Sequence, residues 1–208
     1  GPGDAAAGGA THHRWGADGF PLVVLLHGGG APSDPADPLD ARGLYSLSAL
    51  TRQSVRDAHP SLLLVPRMPP RRTWSGDYER AAPALMELMR GVVVRYPVDP
   101  ERVYLVAENE GAEAGRRLLV EHGNWFAAGV LIAGVRGPQQ AARLTDLPLW
   151  VFHGARDELV PVDGPRALVS AIWAAGGRQV RYTEFAETGH SAWVAAWEET
   201  RLLPWLFS

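Results

Sequence analysis

The chain has 208 residues, 46% hydrophobic and 21% charged, a balance that suits a globular domain with a sizeable core. A net charge of -3 and a pI of about 6.2 offer no basic surface for nucleic acid or an anionic membrane. Cysteine is absent, which excludes disulfides, thiolate metal sites and a cysteine nucleophile, and no apolar run reaches the roughly 18 residues of a membrane span.

In chain order, "GPGDAAAGGA" reads as a flexible leader or tag remnant covering residues 1–15, its first Gly-Pro matching a protease-cleavage scar. Residues 16–208 read as a single domain. No signal peptide stands at the start, so localisation is left open between cytoplasm and secretion with a signal peptide already removed. His12 and His13 are adjacent and point apart in any regular element, so no metal site is expected, nor any cofactor. A buried strand follows over Leu22–His27, then a helix over Leu44–Ala58 and a strand over Ser61–Pro66. A helix over Tyr78–Tyr96 carries Leu85, Leu88, Met89 and Val92 at helical spacing as its core face, and Pro97 stops it. "PVDPERV" reads as a turn delivering a central strand, Arg102–Ala107. A helix over Ala112–His122 follows, then strands Ala128–Ala133 and Leu149–His153, a helix Gly164–Ala175, a strand Gln179–Phe185 and a helix Ala192–Phe207. Most strands are continuous apolar runs, as strands covered on both faces are. The last alternates, which places it nearer an edge. Strands alternating with helices predict an α/β fold, a mainly parallel sheet flanked by helices, with minimal or no lid.

Loops after parallel strands emerge on one side of a sheet, where ligands bind. "PLVVLLHGGG" ends a strand in Gly28, Gly29 and Gly30, which is either a glycine-rich turn or a set of backbone N–H groups that hold an oxyanion. "YLVAENEGAEAG" has the strand, abrupt turn and helix of a nucleophile elbow, with Asn109 at its centre. Asp157 follows a late strand in "WVFHGARDELVP"; it suits an Asx-turn or the acid of a triad. His190 in "FAETGHSAW" suits a solvated loop histidine or the base. Oxyanion glycines, elbow, Asp and His stand in the chain order of α/β-hydrolases.

With these stretches the chain resembles the small bacterial α/β-hydrolase esterases related to polyhydroxybutyrate depolymerases, feruloyl esterases and predicted peptidases. The resemblance runs from about Phe20 to Phe207 and is most specific in "RYPVDPERVYLV" and in the HGxxDxxVP-type segment around Asp157. It implies an acid role for Asp157, a base role for His190 and oxyanion N–H groups from Gly29 or Gly30 and from Glu110. It also implies that Trp74 and Tyr78 in "TWSGDYE" line the pocket, with a buried aromatic core as the alternative. Such enzymes carry Gly-x-Ser-x-Gly-Gly where this chain has Ala107, Glu108, Asn109, Glu110, Gly111 and Ala112.

An Asn amide has its nitrogen lone pair delocalised and an N–H too weakly acidic for imidazole to remove, so no acyl-enzyme is expected at Asn109. What Asn offers is two donors, one acceptor and tolerance of a strained turn. Glu108 and Glu110 are either solvated or bonded to helix-start N–H groups, or, in the case of Glu110, at the pocket floor, where it raises the pKa of His190 and repels anionic ligands. Trp193 and Trp197, four apart on the last helix, suit core packing. Three functions stay open. One is a non-catalytic or severely weakened pseudo-hydrolase that keeps a pocket for a small ester-like ligand. Another is an enzyme with changed chemistry, in which the Asp157–His190 dyad activates water or substrate. The third is a serine carboxylesterase inactivated by engineering. No nucleic-acid or membrane partner is expected, and a protein partner is left unassigned.

Overall fold

The computed structural model describes residues 19–28, 45–69 and 71–208. Six strands, β1 (Phe20–Leu26), β2 (Leu62–Leu64), β3 (Val98–Glu108), β4 (Ala128–Ile132), β5 (Leu149–Gly154) and β6 (Val180–Phe185), form one sheet in the order β2-β1-β3-β4-β5-β6. Every pairing is parallel. The expected mainly parallel sheet is present, and β6 lies at its edge.

The apolar runs do not alternate because both faces are buried. On β1, Leu22, Val24 and Leu26 enter one core while Val23 and Leu25 enter the other. On β3, Val103, Leu105 and Ala107 oppose Tyr104 and Val106 in the same way. The first core is closed by α3 (Tyr78–Arg95), α4 (Glu110–His122) and α5 (Asp163–Ala174). The second is closed by α1 (Tyr45–Leu50), with α2 (Gln53–Ala58) beside it, and by α6 (Ala192–Glu198) and α7 (Leu202–Leu206).

Several expectations need correction. The helix expected over Leu44–Ala58 is two short helices, with Leu44 outside the described residues. At the break, the Thr51 N–H and hydroxyl both donate to the Leu47 carbonyl, at 3.0 and 2.8 Å, and Arg52 then turns to ψ 138°, outside the helical range, which ends the first helix. The helix expected over Ala192–Phe207 breaks at Glu199. Pro204 has no N–H, and its ring would clash with the carbonyl four residues earlier in a continuous helix. Leu88 is 45% exposed; the core stripe of α3 is Tyr78, Ala82, Leu85, Met86 and Met89, which recur at helical spacing one position away from it. The "PVDPERV" turn lies within β3 as an irregularity. A step of two along β1 (Phe20 to Leu22) is matched by a step of five along β3 (Val98 to Val103), and Asp99 accepts from the Glu101 N–H and the Arg102 guanidinium. The expected leader, His12 and His13, and the oxyanion candidates Gly29 and Gly30 lie outside the described residues. No helix of the described residues is long and apolar enough to cross a membrane.

Candidate active site

Four strand ends meet on the carboxyl side of the sheet. Asn109 stands between β3 and α4 with φ 53° and ψ -124°, a strained backbone for any residue but glycine. Its N–H donates to the Ile132 carbonyl at 2.8 Å, which ties the turn to the end of β4. Small residues make the turn sterically feasible. A methyl group added at Gly28 would stand 2.8 Å from Asn109 Cβ, and one at Gly134 would collide with the Asn109 carbonyl. The helix begins at Glu110, two residues before the expected start at Ala112. The Ala107 methyl, placed where the resembling family has glycine, is accommodated by the absence of a side chain at Gly115. A methyl added there would lie 2.7 Å from Ala107 Cβ.

Asp157 and His190 come together as their chain order suggests. His190 Nδ1 and Asp157 Oδ2 are 2.8 Å apart. The other carboxylate oxygen of Asp157 accepts the backbone N–H groups of Leu159 and Val160, both at 2.9 Å. Burial pushes the Asp157 carboxyl up, but the Val160 and Leu159 N–H groups and His190 outweigh it and hold the group below the usual carboxylate range. The loop bearing His190 is pinned to the Asp157 loop. The Arg156 N–H donates to the Thr188 carbonyl at 3.0 Å, and a methyl added at Gly154 would collide with the Thr188 and Gly189 carbonyls. The edge of Trp193 packs on the His190 ring, with centroids 5.4 Å apart. Among the described residues no hydrogen bond joins the Asn109 amide to His190.

Glu110 turns to Ser75, whose hydroxyl donates to it at 2.6 Å and whose N–H lies at 3.3 Å. Trp74 and Tyr78, expected to line a ligand pocket, are 4% and 3% exposed and belong to the core between α3 and the sheet. The cavity beside them is about 10 Å³, lined by Leu26, Ala82, Leu85 and Leu118 among others. That is about the room one water needs and too little for an ester. Their large apolar faces are used to close the first core. The Tyr78 hydroxyl donates to Glu121 at 2.9 Å under the Arg117 guanidinium; burial, then the bond to Glu121, pushes its pKa up.

Three further groups stand at the strand ends, of which two, His27 and His153, were given no role from the sequence. His27 is buried. Its Nδ1 lies 2.7 Å from the Gly28 carbonyl and its Nε2 accepts the Met68 N–H at 3.4 Å, and burial lowers its pKa. That set of bonds fits the neutral ring with the proton on Nδ1. His153 is fully buried beneath Asp157, with Nε2 2.9 Å from the Val160 carbonyl and 3.3 Å from Asp157 Oδ2. Glu108, read from the sequence as solvated or bound to helix-start N–H groups, is 2% exposed. It bonds the N–H groups of Tyr45 and Ser46 in α1, not its own helix. A charged residue closing an otherwise apolar strand was the signal in the sequence.

No family model matches the chain. A 69-residue stretch is 38% identical to "Putative esterase NocK" of Nocardia uniformis subsp. tsuyamanensis, covering 32% of this chain and 20% of that protein. The crystal structure of a thermostable esterase superposes with a TM-score of 0.81 at 28% identity, covering 91% of this chain and 55% of that one. This chain therefore spans about half the length of that esterase. Esterase PE8 superposes at 0.66, with 21% identity and 90% and 94% of the two chains covered. A ferulic acid esterase of the anaerobic fungus Anaeromyces mucronatus superposes at 0.60, with 13% identity and 91% and 78% covered. At those identities the last two show the shared fold alone.

Proposed function

We propose that this chain, an esterase-like relative of the α/β-hydrolases, is a non-acylating pseudo-hydrolase that binds a small ester-like molecule at the elbow. The observation that carries the reading is Asn109. It occupies the strained turn between β3 and α4, on the same side of the sheet as a hydrogen-bonded Asp157–His190 pair. An amide there can hold a carbonyl or carboxylate by hydrogen bonds but cannot attack it. In this reading Asn109 takes the nucleophile's place, His190 and Asp157 the base's and acid's, and the Glu110 N–H faces the ligand oxygen.

A second reading is favoured by the Asp157 carboxylate, which is kept ionised by two N–H donors and His190. An ionised partner stabilises the imidazolium that forms when His190 takes a proton from water, so direct hydrolysis by activated water is chemically available.

The test is p-nitrophenyl acetate hydrolysis by the protein, by Asn109→Ser and by His190→Ala, from about pH 6 to 9. Asn109→Ser should exceed His190→Ala by about 1,000-fold, the scale of restoring one triad member. A serine variant no faster than His190→Ala at every pH refutes the assignment of Asn109 to the nucleophile's place. Turnover by the unaltered protein that is lost in His190→Ala selects the second reading.

A further inference from the structure

We infer that Glu108 is a positioning residue: through Ser46 and Trp197, its buried carboxylate holds the elbow, α1 and the helix behind His190 in one arrangement. Glu108 ends β3, directly before Asn109, and its carboxylate accepts the Ser46 hydroxyl and the N–H groups of Tyr45 and Ser46. The Ser46 hydroxyl in turn accepts the Trp197 indole N–H at 2.8 Å. Ser46 is 0% exposed and Trp197 8%. The three residues come from three separate parts of the site. Glu108 flanks the elbow, Ser46 lies in the first turn of α1, and Trp197 is on α6, which begins two residues after His190.

Placing a carboxylate in a core is costly, and an apolar residue of similar size would generally be at least as stable. The arrangement is consistent with specifying geometry. Three donors converge on the carboxylate, and the serine hydroxyl both donates to it and accepts from the indole, so each group fixes the next. Burial raises the Glu108 carboxyl to about 7, a sign of how fully the site is withdrawn from water. Glu108 is directed at α1 and belongs to the support of the site. The inference uses the reading of Asp157 and His190 as the working pair, but its first test does not depend on that reading.

The experiment is hydrogen–deuterium exchange of the full chain, followed in peptides covering residues 45–50 and 186–198, with urea unfolding alongside. The variants are Ser46→Ala, Trp197→Phe and their double. The control is Met89→Ala, in the opposite core, compared at matched global stability. Trp197→Phe keeps a six-membered aromatic ring and removes the pyrrole half of the indole with its donor, so it should fold with some loss of packing, which the comparison at matched global stability takes into account. Each single variant should speed exchange in both peptides by about 5-fold beyond the control, and the double should add little more, because the chain of bonds is broken once. Exchange that only tracks global stability, or that rises only in the altered residue's own peptide, overturns the inference. In the Asn109→Ser background, Trp197→Phe should lower kcat about 10-fold with KM within about 2-fold, the signature of a displaced catalytic group. An unchanged kcat there also overturns it. Glu108→Gln, followed in the same two peptides, should raise exchange in both as the single variants do, and no change there overturns the role of Glu108; if Asn109→Ser has no activity, the proposed function fails while these exchange results still decide that role.

Discussion

Glu108→Gln should change how the stability of this protein depends on pH. Burial raises the Glu108 carboxyl from an ordinary 4.5 to about 7. The folded protein therefore holds that proton more tightly than the unfolded chain. Between pH 4.5 and 7 folding takes up a proton, and stability falls as pH rises. The favourable contribution is fully present below 4.5 and is lost as pH passes through 7. A difference of about 2.5 pKa units at 1.36 kcal/mol each corresponds to about 3 kcal/mol. Glutamine has no such proton to exchange. It keeps one acceptor oxygen for the Tyr45 and Ser46 donors, so the variant should fold. The assay is urea unfolding of both proteins at several pH values from about 4.5 to 8.5. Subtracting the two curves removes the other titrating groups, including Asp157, whose contribution has the opposite sign. The stability of the wild type minus that of the variant should fall by about 3 kcal/mol across the range. A difference constant to within about 0.5 kcal/mol would show that the carboxylate is not withdrawn from water as the structure places it.

Asn109→Gly should raise the urea midpoint, by about 1 kcal/mol in stability, because glycine adopts a φ of 53° without the strain an L side chain pays there; an unchanged or lower midpoint would mean the turn is not strained. Gly115→Ala places a methyl 2.7 Å from Ala107 Cβ and should cost about 1–3 kcal/mol, with Ala107→Gly in the same chain returning most of it. Thermal unfolding of the single and double variants decides this, and additive losses would count against the proposed exchange of glycine and alanine between strand and helix. The Asp157 carboxyl is held below the usual carboxylate range, so its contribution is present above the unfolded value near 3.9 and is lost as pH falls. Asp157→Asn should therefore be less stable than the wild type at pH 7, and the gap should close towards pH 3; a gap independent of pH refutes this.

The sequence alone determined which segments are strands and helices, because that information is local. Continuous apolar runs such as Leu22–Leu26 mark strands buried on both faces, and the 3.6-residue period marks α3. Pro204 is also a local signal, but the expectation of one helix over Ala192–Phe207 passes over it, and the structure breaks that helix at Glu199. The order of Asn109, Asp157 and His190 was legible too, and short loops at strand ends left little freedom in where they meet. Only the tertiary structure decided what surrounds each of them. The sequence cannot say which face of the protein receives an aromatic ring, and Trp74 and Tyr78 went to the core because the space between α3 and the sheet requires their volume. Nor can it show that Glu108 caps a helix more than fifty positions earlier in the chain, or that Trp197 reaches the same serine. Those contacts join segments whose separation in sequence carries no periodicity, and they exist only once the sheet has brought the ends of β3, α1 and α6 together.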